Sequence, residues 1–281
     1  MRRARLEQSA YNAATYDNRR LADWFARLPI YPAERVMFTR YRAAFEGRRV
    51  LDLAVGSGRT TPALLPHAAG YIGVDLSDAM LEVARRRHPQ ATFLRMDVRD
   101  IGLLGAGRFD FVLASCAILS AFPHEERLKL LDAIRGLLVP GGLFVFTAHN
   151  REWRDAGMAP LNRHSWRPRQ MLRALHPLSW INYLRAKPLW RQEAHYAIMS
   201  DSAHLWRGIF YFIDRNSQTR QLEAAGFDLV EIIAEDGTTL GPGDQARNSG
   251  LLQYVCRAAG AGSASKLLVS DVEPVSAHLG G

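Results

Sequence analysis

Residues 50–60, VLDLAVGSGRT, constrain this chain more than any other stretch. An apolar run over 50–53 meets the small residues Ala54 to Gly58, and Arg59-Thr60-Thr61-Pro62 then looks like a helix start. A strand that turns this tightly into a helix leaves the free N–H groups of the first helical turn, and their partial positive charge, beside the turn. Gly56 and Gly58 permit positive φ and let the backbone come close to a ligand. A glycine turn alone is weak evidence of a site, so its meaning depends on the rest of the chain.

Beyond the turn, strands and helices alternate. Strands are expected at 49–53, 71–74, 92–95, 109–115 and 143–148, with helices at 60–66, 78–87 and 125–138. Ser77 suits the N-cap of the second helix. In the third, Leu128, Leu131, Ile134, Leu137 and Leu138 share one face, and Pro140-Gly141-Gly142 ends it. A further helix over 216–225 stops at Gly226, and strands at 227–234 and 253–257 close the sheet as an antiparallel pair. The expected fold is α/β: a Rossmann-like, seven-stranded, mostly parallel sheet with helices on both faces.

Two segments stand outside that rhythm. Residues 1–46 read as helical, with aromatic residues among charges. Residues 151–213 hold five of the six tryptophans, and 151–200 carry nine basic residues against three acidic ones. The organisation expected is an N-terminal helical lid (1–46), a ligand-binding core (47–150), a helical and aromatic substrate lid (151–213), a closing helix and strands (214–258) and a small, polar, loose tail (259–281).

Composition bounds the partners. The apolar share of 48% is enough for a sizeable core, and the formal net charge is +8, with Lys129, Lys187 and Lys266 the only lysines. That arginine excess fits a solvated surface as well as an anionic partner. No run of about 18 apolar residues is present, so no membrane span is expected. The basic N-terminus lacks the apolar stretch of a secretory signal, which implies a cytoplasmic protein. Cys116 and Cys256 sit in apolar runs without disulfide or metal spacing, and buried free thiols are expected.

Acidic residues end the next strands. Asp75 closes the second in YIGVDLS, where a carboxylate can accept both hydroxyls of a ribose. Asp97 follows the third in FLRMDVRD, where it can meet an exocyclic amine. The plainer readings are a helix lead-in for Asp75 and a solvated turn for Asp97.

VLDLAVGSGRT, YIGVDLSDAML, FLRMDVRD, FDFVLASCAILSAF and LLVPGGLFVFTAHN, in that order, resemble the successive motifs of class I S-adenosylmethionine-dependent methyltransferases. The resemblance covers residues 48–150, resumes in RQLEAAGFDLVEI and ends in LLQYVCR. It implies S-adenosyl-L-methionine as cofactor. Asp52, Ala54 and Gly56 would line its methionine part, Asp75 would hold the ribose diol, Leu76 and Met80 would sandwich adenine, and Asp97 and Val98 would meet the adenine edge. Ser115 would lie near the methionine amino group, and Tyr11 or Tyr16 would cover that end. The family's first glycine is Ala54 here, which implies negative φ at that place. Many relatives carry a histidine near the position of Ala121, so one base is missing.

Methyl transfer is an in-line displacement, so alignment and exclusion of water are the main requirements. A base helps when the acceptor loses a proton. His204, Tyr211, His195 and His149 are the candidates, His204 first because DSAHLWRGIFYFI precedes the last helix. Tyr196 is a further orienting candidate, while His67, His88 and His124 fall on turns expected to be peripheral. The acceptor is read as a small molecule methylated on oxygen or nitrogen, with an acidic or aromatic character suggested by the arginines and tryptophans at 151–191. No RNA-binding module is recognisable, and ASCAILSAF replaces the NPPY-like tetrapeptide of base-amino methyltransferases, which argues against nucleic acid. An RNA or protein methyltransferase and a cofactor-binding protein without transferase activity stay open, as do monomer and homodimer.

Overall fold

The computed structural model describes residues 19–157, 177–201 and 205–260. Its centre is the strand pair β1 (Arg49–Leu53) and β4 (Phe109–Ala114), apolar on both faces and buried on both. Parallel strands with this burial need cover above and below. Further out on one side are β2 (Gly70–Asp75) and β3 (Thr92–Arg95); on the other is β5 (Leu138–Asn150). All five are parallel, in the order β3-β2-β1-β4-β5. Beyond β5, β10 (Leu251–Ala258) runs antiparallel and carries β9 (Phe227–Ala234) at its far edge.

Helices cover both faces. On one, α6 (His124–Leu137) and α8 (Arg215–Ala224) bury Leu131, Ile134, Leu137 and Leu222 with the 3₁₀ segment Val98–Leu104. Each buried side chain of that size contributes about 1.5–3 kcal/mol. On the other lie α2 (Pro32–Arg40), α3 (Arg42–Phe45), α4 (Thr61–Leu64) and α5 (Asp78–Arg87). The helix α1 (Arg19–Ala26) packs Ala22 against Met80 and Val83 of α5. Among the described residues, no helix is long and apolar enough to cross a membrane.

Among the described residues the sheet has ten strands rather than seven. Among the described residues, too, the segment expected as a helical lid supplies one helix, α7 (Pro177–Ala186), and three short strands: β6 (Arg191–Gln192), β7 (Tyr196–Met199) and β8 (Phe210–Ile213). They form an antiparallel ribbon. It joins the sheet because β5 outruns β4. The last pair between those strands is Ala114 with Phe146; beyond it, His149 and Asn150 pair with Phe212 and Ile213 of β8. The ribbon therefore stands at the carboxyl rim of the parallel strands, where ligands bind in open α/β sheets.

Candidate active site

The glycine turn adopts left-handed backbone at every second residue: φ is +50° at Ala54, +55° at Gly56 and +74° at Gly58. Ala54 thus departs from the negative φ expected of it. The turn demands the conformation whichever residue occupies it, and alanine holds it at a cost of about 1–2 kcal/mol. Gly58 is required for space as well, since a Cβ there would lie 2.8 Å from the His88 ring. His88, expected on a peripheral turn, is a wall of this loop, with Nε2 2.9 Å from the Gly58 carbonyl.

Asp75 ties the turn to the next strand. Its Oδ2 accepts from Gly56 N at 2.8 Å and its Oδ1 from Ser77 N at 2.9 Å. Each oxygen keeps a lone pair for a further donor. Burial raises its pKa, and the backbone donors oppose that shift. Beside it Leu76 is an apolar side chain that is 47% exposed. Met80 is buried, with Sδ 3.2 Å from Ser57 Oγ.

Other expected residues serve the protein itself. Asp52 is 1% exposed, and its Oδ2 accepts from Thr60 Oγ1 at 2.7 Å and Tyr71 OH at 3.0 Å. Burial lifts its pKa to about 6 against those two bonds. Asp97 caps the 3₁₀ segment and takes a bidentate contact from Arg99, at 3.0 and 2.6 Å. That contact, more than any other, holds its pKa low. Val98 is buried beside it.

Ser115 joins a network that sequence reading missed. Arg59 and Glu34, 8% and 3% exposed, form a bidentate pair at 2.6 and 2.5 Å. Arg59 Nη2 also reaches Ser115 Oγ at 3.0 Å and Cys116 Sγ at 3.2 Å, and Ser115 donates to Glu34. Burial pulls the Arg59 guanidinium down, and Glu34 more than reverses it, so it stays charged. The network binds α2, the glycine turn and the end of β4 into one unit. There Cys116 and Ala117 both have left-handed backbone, φ +54° and +55°, and Ala117 N donates to Thr147 Oγ1 at 2.5 Å. Consecutive strain of this kind collects at functional sites. The same turn lifts Cys116 out of its apolar run: it is exposed, not buried as expected, whereas Cys256 is buried.

The base candidates separate. His149, next to last in β5, is 5% exposed, its Nε2 lies 3.1 Å from Asp201 Oδ2, and its ring stacks on Phe210 and packs at a tilt on Phe212, both at 4.8 Å. Asp201 was not foreseen. Tyr211 is fully buried; its hydroxyl meets His124 Nδ1 and Gln221 Nε2, both at 2.8 Å. Burial lifts its pKa to about 12, which suits a packing residue and not a base. Tyr196 stacks on both Tyr211 and His124, so His124 is part of the ribbon's base, not peripheral. His195 is exposed at the β6–β7 hairpin tip, away from this packing. His204, Tyr16 and Tyr11 lie outside the described residues.

Residues 50–142 match the methyltransferase domain family. The ubiquinone biosynthesis O-methyltransferase of Coxiella burnetii is 28% identical over 123 residues, 43% of this chain and 51% of that one. The demethylmenaquinone methyltransferase of Clavibacter sepedonicus is 36% identical over 114 residues, 40% and 45% of the two chains. The chain thus spans about half the length of the curated relatives it matches. Among solved structures, the CcbJ methyltransferase of Streptomyces caelestis superposes with a TM-score of 0.58 at 19% identity, over 87% of this chain and 98% of that one. The 1,6-didemethyltoxoflavin-N1-methyltransferase of Burkholderia thailandensis, which holds S-adenosylhomocysteine, does so at 0.56 and 17%, over 89% and 87%. These likenesses show a shared fold. Over residues 50–142 the chain is thus similar to the methyltransferase domain family, on a fold that these solved methyltransferases share.

Proposed function

We propose that this protein transfers the methyl group of S-adenosyl-L-methionine to an oxygen or nitrogen of a small molecule. The observation that carries the reading is the Asp75 carboxylate, fixed by two backbone N–H groups at the end of β2 with lone pairs to spare and the exposed Leu76 beside it. Those groups fit a nucleoside: Asp75 for the ribose hydroxyls, Leu76 for a face of the base. Gly56 leaves open space at the turn, where the nearest atom to a Cβ would be Met80 Sδ at 3.9 Å.

When bound, the cofactor supplies a sulfonium methyl to an in-line displacement. The chain's own task is alignment and dryness. Arg59 and Glu34 hold the turn and the end of β4 in fixed relation. The ribbon covers the rim. His149, held by its 3.1 Å contact with Asp201 Oδ2, is the base we assign for the proton that a hydroxyl or amine acceptor loses. An acidic or aromatic acceptor is the finer reading, and it turns on the ribbon's outer face.

Calorimetry with S-adenosylhomocysteine tests the core of this. Wild type should bind, and Asp75→Ala should weaken binding by about 100-fold, the loss of charge-assisted bonds to two hydroxyls. Equal affinity in both proteins, or no binding to wild type, would overturn it.

A further inference from the structure

The ribbon has two faces. Tyr196, Ile198, Tyr211 and Ile213 point toward the main core; Ala197, Met199, Phe210 and Phe212 form a separate cluster with Ala156 and Trp190 against it. On that second face lies a cavity of about 520 Å³, bounded by Arg151, Ala156, Gly157, Lys187, Trp190, Gln192 and Met199. Its size is in the range of small-molecule sites, about 300–1,000 Å³. It adjoins the proposed reaction centre: Met199 pairs across the ribbon with Phe210, and Phe210 stacks on His149.

Apart from the Gln192 amide, the polar side chains of the lining are donors. Two cations, Arg151 and Lys187, face it, and among the described residues neither forms an ion pair and no acidic side chain lines it. Arg151 is steadied by the Ala194 carbonyl at 3.1 Å and Gln192 Oε1 at 3.4 Å. Among the described residues the buried indole Nε1 of Trp190 has no hydrogen-bond partner. Lys187 Nζ sits 4.0 Å from the Trp190 ring centroid, so the cation and the aromatic face are presented together. Gly157 has φ +68°, and a Cβ there would lie 2.8 Å from Met199 Sδ and 3.5 Å from Trp190, so the wall closes on these side chains with no room for another. A buried N–H without a partner and two unmatched cations ask for an anion; the indole face and Met199 ask for a flat apolar body.

We infer that this pocket binds a planar aromatic carboxylate, its carboxylate held by Arg151, Lys187 and the Trp190 N–H and its ring laid along Trp190 and Met199. That the ligand is the methyl acceptor rests on the methyl-transfer reading; the pocket's choice of ligand does not. An acceptor bound this way directs its far end toward His149, along the row Met199, Phe210.

The test titrates three probes into the full chain in the presence of S-adenosylhomocysteine: 6-hydroxy-2-naphthoate, its neutral methyl ester and inorganic phosphate. The acid should bind at least about 10-fold more tightly than the ester, the worth of one charge-assisted contact. Phosphate should not compete at equal concentration. Lys187→Met and Arg151→Gln should each weaken the acid by about 10-fold while S-adenosylhomocysteine affinity stays within about twofold, which also reports an intact fold. Equal binding of acid and ester, no binding of either, displacement by phosphate, or indifference to both substitutions would overturn the inference, and the ester arm decides it on wild type alone. Failure of S-adenosylhomocysteine to bind, with acid selectivity retained, would sink the methyl-transfer reading and leave the pocket standing.

Discussion

Arg59 at the glycine turn and Arg127 beneath the ribbon are both withdrawn from water, at 8% and 0% exposure, but among the described residues only Arg59 faces a carboxylate. Arg127 lies over the Tyr211 ring at 4.9 Å and the Phe146 ring at 5.9 Å. Its polar partners are the neutral amides of Gln218 and Gln221, and its Nη1 has none. Glu34 holds the first guanidinium above its ordinary pKa, while burial draws the second down to about 10. The rim is thus built of charges matched in pairs, which fixes geometry around a ligand. The ribbon's base is built of stacked rings and neutral amides around one unmatched charge, which fixes packing and little else.

The largest expected effect breaks the matched side. Arg59→Met strands the buried Glu34 carboxyl without its cation, and should cost about 3–5 kcal/mol in urea denaturation at pH 7. Replacing Glu34 as well, as Glu34→Leu with Arg59→Met, should restore most of that loss, because no buried charge remains. A single-variant cost under about 1 kcal/mol would mean that the pair does not tie α2 to the turn.

Asp52 sharpens the same side through pH. Its native pKa of about 6 lies above the ordinary carboxylate value of 3.8, so the native state binds the proton more tightly than the unfolded chain does. Stability from this group is therefore full below about pH 4 and lost as pH rises through 6, by up to about 3 kcal/mol. Asp52→Asn removes the titration while keeping an oxygen for Thr60 and Tyr71. The stability of the variant minus that of wild type should grow between pH 4 and pH 6 and level off by pH 7. A flat difference across that window would show that the Asp52 carboxylate carries its charge in the native state as easily as in water.

The two regions also differ in how far the sequence alone reveals them. Strands at 49–53 and 92–95 and the helix at 78–87 fall where periodicity and the Ser77 cap put them, because local chemistry decides those elements. Asp75 is legible for the same reason: a carboxylate at a strand end faces the rim by geometry. The ribbon was not legible. YAIM and FYFI are strands of four residues, apolar without alternation, and such runs carry no period to separate strand from helix. Their pairing depends on β5 outrunning β4, which no local pattern encodes. Glu34 and Arg59, 25 residues apart, and His149 and Asp201, 52 apart, meet only once the sheet has formed. Ala54 misled because propensity asks for glycine where φ is positive, and the turn overrode it.

The smallest expected effect is the counterpart of the first. Arg127→Met deletes a buried cation that has no carboxylate to strand. The depression of its pKa from 12.5 to about 10 corresponds to about 3 kcal/mol of desolvation cost that the substitution removes. Against it stand the bonds to Gln218 and Gln221, about 1–1.5 kcal/mol each, and the contact with two aromatic faces, about 1 kcal/mol. These nearly cancel, so urea denaturation should place the variant within about 1 kcal/mol of wild type, where the same change at Arg59 costs several times more. A loss as large as that of Arg59→Met would mean that Arg127 has an anionic partner in the folded protein, and that the ribbon's base is matched in charge as the rim is.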